Sequence, residues 1–192
     1  MNERMRVVAG ERKGTALKAL EGTTTRPTTD KVKESIFNII GPFFDGGIVV
    51  DLFAGTGGLG IEALSRGAQQ AIFIEKDRRA FQILQQNIQK CRYEEKAELF
   101  HIDATRAVKA LMKREFQIDY LFVDPPYFKE GYYDFVDVLV ANNKISKSGL
   151  ILCEHAKEVQ LPSYYGPFTC VRSEIYGSIV ISIYRHNEEE GK

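Results

Sequence analysis

From Ile48 onward, short apolar runs alternate with stretches whose apolar residues recur at helical spacing. The runs "IVVDLF" (48–53), "AIFIE" (71–75), "AELFHI" (97–102), "DYLFV" (119–123) and "GLILCE" (149–154) are continuous rather than alternating. That pattern predicts parallel strands buried on both faces. Between them, Phe81, Leu84 and Ile88 mark one helix, and Ala104, Ala107, Val108, Leu111 and Met112 a second. Tyr132, Val136, Leu139 and Val140 mark a third. The order predicts a doubly wound α/β sheet that takes ligands at the carboxyl ends of its strands. Near the end, "TCVRSEI" and "SIVISIYR" flank Tyr176-Gly177, a hairpin signal that makes the last strands antiparallel.

A different unit precedes the sheet. "RMRVVAG" and "TALKAL" flank the turn Glu11-Arg12-Lys13-Gly14. "RPTTDKVKESIFNII" then predicts a helix capped by Thr29 or Asp30, with Val32, Ile36, Ile39 and Ile40 as its buried stripe. The expected division is a basic hairpin-and-helix extension over 1–40, a catalytic domain over 41–185 and a solvated tail over 186–192.

Composition changes this picture little. A length of 192 residues suits one domain, and 44% hydrophobic with 27% charged residues supports an ordinary core. No apolar stretch approaches the ~20 residues that span a bilayer. The N-terminus lacks a signal-peptide segment. Cys91, Cys153 and Cys170 have neither the number nor the spacing of a disulfide framework or a zinc site. A cytoplasmic monomer without metal is expected. Net charge is zero, yet residues 1–40 hold eight basic and five acidic side chains, so the remainder is net acidic.

The first candidate chemistry lies in "DLFAGTGGLGIE" (51–62), where Gly55, Gly57 and Gly60 have dinucleotide-loop spacing. A P-loop is excluded because Ile61 and Glu62 stand where Lys and Ser/Thr are needed. Asp51 chooses among the remaining ligands. A carboxylate at the strand end repels a pyrophosphate bound to the loop amides, but suits a ligand with an ammonium and a sulfonium group. S-adenosylmethionine carries both and no phosphate. Glu75, ending the second strand, is placed for ribose hydroxyls, and Asp103, past the third, for an adenine amine. Asp103 and Asp77 read equally well as helix caps.

The second candidate is "VDPPY" (123–127), where a strand stops at a rigid corner. An exocyclic base amine is a weak nucleophile because its lone pair is delocalised into the ring. Asp124 and the Pro125 carbonyl, stiffened by Pro126, can accept its two N–H bonds and localise the pair. Tyr127 offers a stacking face. The following "YFKEGYYDF" (127–135) reads as a lid, with Lys129 and Gly131 exposed. His101, His155 and His186 are scattered and read as structural or exposed.

These segments in this order, "RVVAG…KG", "RPTTDKVKESIFN", "DLFAGTGGLGIEALSRGA", "IEKD" and "FVDPPY", resemble the bacterial RsmD family over roughly residues 4–185. The tetrapeptide alone is shared with adenine-N6 and glutamine methyltransferases, whereas the "RPTTD" helix and the hairpin are more specific. The resemblance implies a Rossmann-like S-adenosylmethionine-dependent methyltransferase fold, a seven-stranded, mostly parallel sheet with the last strand antiparallel. It implies transfer of a methyl group to the N2 amine of a guanine in 16S ribosomal RNA, within the small subunit or an assembly intermediate. It implies that Arg26, Thr28 and Thr29 close over the cofactor's methionine end. Phe53, Thr56, Lys76 and Ala104 join Asp51, the loop glycines, Glu75, Asp103 and Asp124 as cofactor contacts. Arg4, Arg6, Arg12, Lys13 and Lys18 become the candidate RNA-binding group. Ala9 and Thr15 depart from the family, which has glycine and arginine there. Competing readings are an adenine-N6 DNA methyltransferase, a catalytically silent ribosome-assembly factor and a nicotinamide oxidoreductase.

Overall fold

In the computed structural model, which describes residues 5–21, 29–126 and 130–187, strands and helices alternate as the apolar runs require. Helix α1 (Asp30–Ile40) leads into β1 (Ile48–Asp51), α2 (Gly58–Ser65), β2 (Gln70–Ile74), α3 (Arg78–Cys91), β3 (Ala97–Phe100), α4 (Ala104–Leu111) and β4 (Ile118–Val123). A single 3₁₀ turn (Glu130–Tyr133) enters α5 (Asp134–Ala141). Then come β5 (Ile145–Ala156), β6 (Tyr164–Tyr165), β7 (Phe168–Tyr176) and β8 (Ile179–His186).

The sheet order is β3-β2-β1-β4-β5-β8-β7-β6. Strands β1 to β5 pair in parallel, and β8 runs antiparallel to both β5 and β7. The sheet has eight strands where seven were expected. The extra one, β6, is only two residues long and pairs with the start of β7, too short for any alternation to register in the sequence. Successive crossovers from β1 run in opposite directions, to β2 and toward β4, so a crevice opens at the carboxyl ends of these strands.

Two cores flank the sheet. One holds Val50, Leu52, Val123 and Cys153 against Ala107, Val108 and Leu111 of α4 and Val136 and Leu139 of α5. The other holds Val49, Phe73, Phe122 and Leu152 against α1, α2 and α3. The N-terminal hairpin belongs to this second core through Met5, Val7 and Leu17. Its limbs are joined by Val7 N–H to Thr15 O (2.9 Å) and Leu17 N–H to Met5 O (2.8 Å).

Helix α1 is capped by Thr29, whose hydroxyl oxygen accepts from Val32 N–H at 3.3 Å. Its buried face is Lys33, Ile36, Phe37 and Ile40, while Val32 and Ile39 are only partly covered. The sequence stripe left out Phe37, whose ring meets Phe44 and Phe122 edge-on and lies under the Arg66 guanidinium at 4.7 Å. No described helix is long and apolar enough to cross a membrane.

Candidate active site

A cavity of about 370 Å³ opens at the crevice, and the glycine loop and the Asp-Pro-Pro corner both line it. The loop leaves β1 and turns into α2 at Gly57, whose φ of 93° suits glycine and starts the helix. Gly60 answers a packing need: a Cβ there would lie 2.3 Å from the Phe73 ring, so only glycine lets α2 settle on the sheet. Its N–H donates to Asp51 Oδ2 at 3.2 Å.

Asp51 ends β1 and is 2% exposed. Burial pushes its carboxyl up to about 7, against the pull of the Gly60 bond and with help from the Glu75 charge. Glu75 follows β2, and both its oxygens accept backbone N–H groups. One takes Gly55 N–H at 2.8 Å and the other Asp77 N–H at 2.7 Å. This acid therefore ties the loop after β1 to the loop after β2 while lining the cavity. Burial raises its carboxyl as well.

Asp124, Pro125 and Pro126 follow β4 and line the same cavity. Burial, with the Glu154 and Asp51 charges, drives the Asp124 carboxyl well above the usual range. Phe53, Gly55, Thr56, Lys76 and Ala104 also line the wall, as expected. Thr56 is fixed by its carbonyl, which accepts from Asn87 Nδ2 at 2.9 Å.

Other expected residues stand elsewhere. Asp103 caps α4, its carboxylate accepting Arg106 N–H at 3.0 Å, and it does not line the cavity. Gly57 and Thr29 shape their helix starts without lining it. Arg4, Arg26, Thr28, Tyr127 and Lys129 lie outside the described residues.

Among the hairpin cations, Arg12 is turned inward. Its Nε donates to Cys91 O at 2.8 Å, and its guanidinium lies 5.5 Å from the Tyr93 ring centre. Arg6 pairs with Asp30 at 2.9 Å but stays largely exposed, and Lys18 Nζ reaches Gln86 at 2.7 Å. Lys13 is exposed at the turn.

Sequence reasoning missed several wall residues. Tyr132, assigned to a helix stripe, instead packs its ring against Phe53 at 4.8 Å on the cavity wall. Its neighbour Tyr133 is buried, its hydroxyl donating to Glu154 O at 2.6 Å, so this end of the expected lid is anchored. Met5, Ala19 and Leu20 reach the cavity from the hairpin, and Lys33 from α1. These contacts span the chain and leave no local signal.

The charges define what fits. Asp51, Glu75, Asp77 and Asp124 face two lysines among the described residues, Lys33 and Lys76. Lys33 is already committed to Glu62 at 3.4 Å, to Asp30 at 3.8 Å and to Arg6 O. Negative charge thus prevails on the described wall, which suits a ligand that brings positive charge rather than a pyrophosphate.

A doubly wound sheet with this loop, these acids and this corner around one cavity defines a Rossmann-like methyltransferase. The chain belongs to the RsmD family, whose model, described as "Conserved hypothetical protein 95", matches residues 5–185. It is 46% identical over 181 residues to YlbH of Bacillus subtilis (strain 168), whose name marks it as a provisional rRNA methyltransferase. That match covers 94% of this chain and 98% of the relative. Identity to the ribosomal RNA small subunit methyltransferase D of Escherichia coli (strain K12) is 30% over 185 residues, 96% of this chain and 91% of that one. A solved Escherichia coli structure, yhhF, described as a provisional methyltransferase, superposes with a TM-score of 0.81 at 30% identity. The superposition covers 96% of this chain and 98% of that one.

Proposed function

We propose that the chain uses S-adenosylmethionine to methylate the exocyclic N2 amine of a guanine in 16S ribosomal RNA of the small subunit. The carrying observation is that the Asp124-Pro125-Pro126 corner and the Gly55 loop line one acidic cavity. The small-subunit RNA substrate is carried over from the named relatives.

When bound, S-adenosylmethionine supplies an electrophilic methyl group on a sulfonium. Asp51 receives the ligand's positive charge at the end of β1, and Glu75 offers its remaining lone pairs to hydroxyl donors. The loop amides around Gly55 and Thr56 approach without side-chain obstruction. Asp124 accepts one N–H of the target amine, and the Pro125 carbonyl the other. An under-solvated carboxylate gains most from such donors, so the raised Asp124 favours binding the amine. With its N–H bonds directed at fixed acceptors, the amine nitrogen presents its lone pair in one direction. Most of the acceleration then comes from orientation, where effective molarities of ~10⁵–10⁸ M are attainable.

The test offers labelled S-adenosylmethionine with small subunits, naked 16S RNA or duplex DNA. Label should enter ribosomal RNA and not DNA. Transfer to DNA alone would support the adenine-N6 reading, and binding of subunits without transfer the silent assembly factor.

A further inference from the structure

Glu154 is buried at the carboxyl end of β5, 2% exposed, and takes no part in the binding steps above. Strands β4 and β5 pair in register, Phe122 beside Leu152 and Val123 beside Cys153. Phe122 and Leu152 face the core under α1–α3, and Val123 and Cys153 the opposite core. Alternation returns the next pair, Asp124 and Glu154, to the α1–α3 side on strands about 4.8 Å apart. Asp51 shares that side, since its neighbours Val50 and Leu52 face the other way. Three acids therefore form a staggered row across β1, β4 and β5.

What surrounds the row is largely apolar or acidic. Strand β8 sets Ile181 opposite Glu154, and the Tyr133 hydroxyl donates to the Glu154 carbonyl rather than to its carboxyl. Glu75 adds a further negative charge beside Asp51. From α1, Lys33 reaches the cavity wall but holds Glu62 and Asp30. Neighbouring carboxyls in so dry a place do not both ionise readily, and one proton is retained between them.

We propose that Glu154 is a positioning residue that shares one proton with Asp124. The pair is a monoanion in which the Glu154 hydroxyl donates to one Asp124 oxygen and turns the other toward the cavity. There that oxygen accepts the target N–H, so the inference rests on the role given to Asp124 above.

Carbon-13 carboxyl titration of the ligand-free protein tests the shared proton independently of any substrate. The expected result is two widely separated ionisations, the upper one well above the ordinary carboxylate range. Glu154→Gln should leave one ionisation, moved down from that upper value. Both carboxyls ionising together in the ordinary range would overturn the proposal, whatever the methyl acceptor proves to be. In turnover, Glu154→Leu should lower kcat about 10- to 100-fold, the loss of one hydrogen bond to a charged group, with cofactor affinity retained. Glu154→Gln, which keeps a donor, should restore most of that loss at neutral pH and remove any high-pH limb of the rate profile. Parental kcat and pH profile in Glu154→Leu would also overturn it. Should that variant fail to fold, the titration of Glu154→Gln decides alone.

Discussion

Asp51 couples ligand binding to pH in a direction that its position dictates. Its folded value of about 7 lies above the ordinary 3.8, so between these limits the native state holds a proton that the unfolded chain has lost. In the ligand-free protein this contribution destabilises the fold progressively as pH rises from about 4 to 7. A cationic ligand selects the ionised form, so S-adenosylmethionine affinity should rise as pH approaches 7, with protons released on binding. Calorimetry in buffers of different ionisation enthalpy measures that release, and its absence near pH 6–7 would contradict the role given to Asp51. Glu75→Ala should weaken cofactor binding by about 1–3 kcal/mol, and more if the freed Gly55 and Asp77 amides let the loops drift. An affinity equal to the parent's would place the ribose elsewhere. Asp124→Ala should act oppositely, with near-normal cofactor affinity and transfer reduced by orders of magnitude. Parental turnover in that variant would reduce the corner to a simple strand terminator.

At the scale of elements, α2 serves two purposes: its start forms the glycine loop, and its body carries the hairpin. Glu62, fully buried, accepts Val8 N–H at 2.9 Å and Ala9 N–H at 3.0 Å while pairing with Arg66 at 2.8 Å and Lys33 at 3.4 Å. Ser65 adds its hydroxyl to Ala9 O at 2.6 Å. Glu62→Ala leaves two buried cations and two amides without their acceptor. A loss of about 3–5 kcal/mol is expected, a fall in Tm on the order of 10 °C. Thermal unfolding checks it, and an unchanged Tm would mean the hairpin is held by its apolar residues alone. Within the sequence motif, Glu62 marked only the absence of a P-loop, because the hairpin amides it holds lie more than fifty positions away. The strands and the helices α3 to α5 were legible because each apolar run carries its own period. Phe37 and the two-residue β6 were not: one depends on rings from other elements, the other on a neighbour's edge. The corner and the loop were readable as local backbone problems. The walls contributed by Tyr132, Met5 and Leu20 were not, because tertiary packing alone brings them there.

For the whole molecule, a net-acidic body acting on a polyanion needs a basic approach surface, and the extension supplies one. The inward course of Arg12 changes which side chains should carry it. Arg12→Ala should loosen the hairpin from the end of α3, whereas Lys13 and Lys18 are exposed. A Lys13→Ala, Lys18→Ala double variant should keep its cofactor affinity and bind ribosomal substrate more weakly. Its log affinity should also fall less steeply with log salt, by ~0.7–0.9 for each phosphate no longer neutralised. Parental affinity and slope across a salt series would move the RNA surface off the hairpin. The central claim is narrower: this cavity presents an exocyclic guanine amine to a methyl donor. Nucleoside mass spectrometry of small subunits treated with the parent or with Asp124→Ala, using labelled S-adenosylmethionine, tests it most directly. The parent should yield labelled N2-methylguanosine at one position and the variant next to none. Label in any other nucleoside, or equal N2-methylguanosine from both proteins, would contradict it.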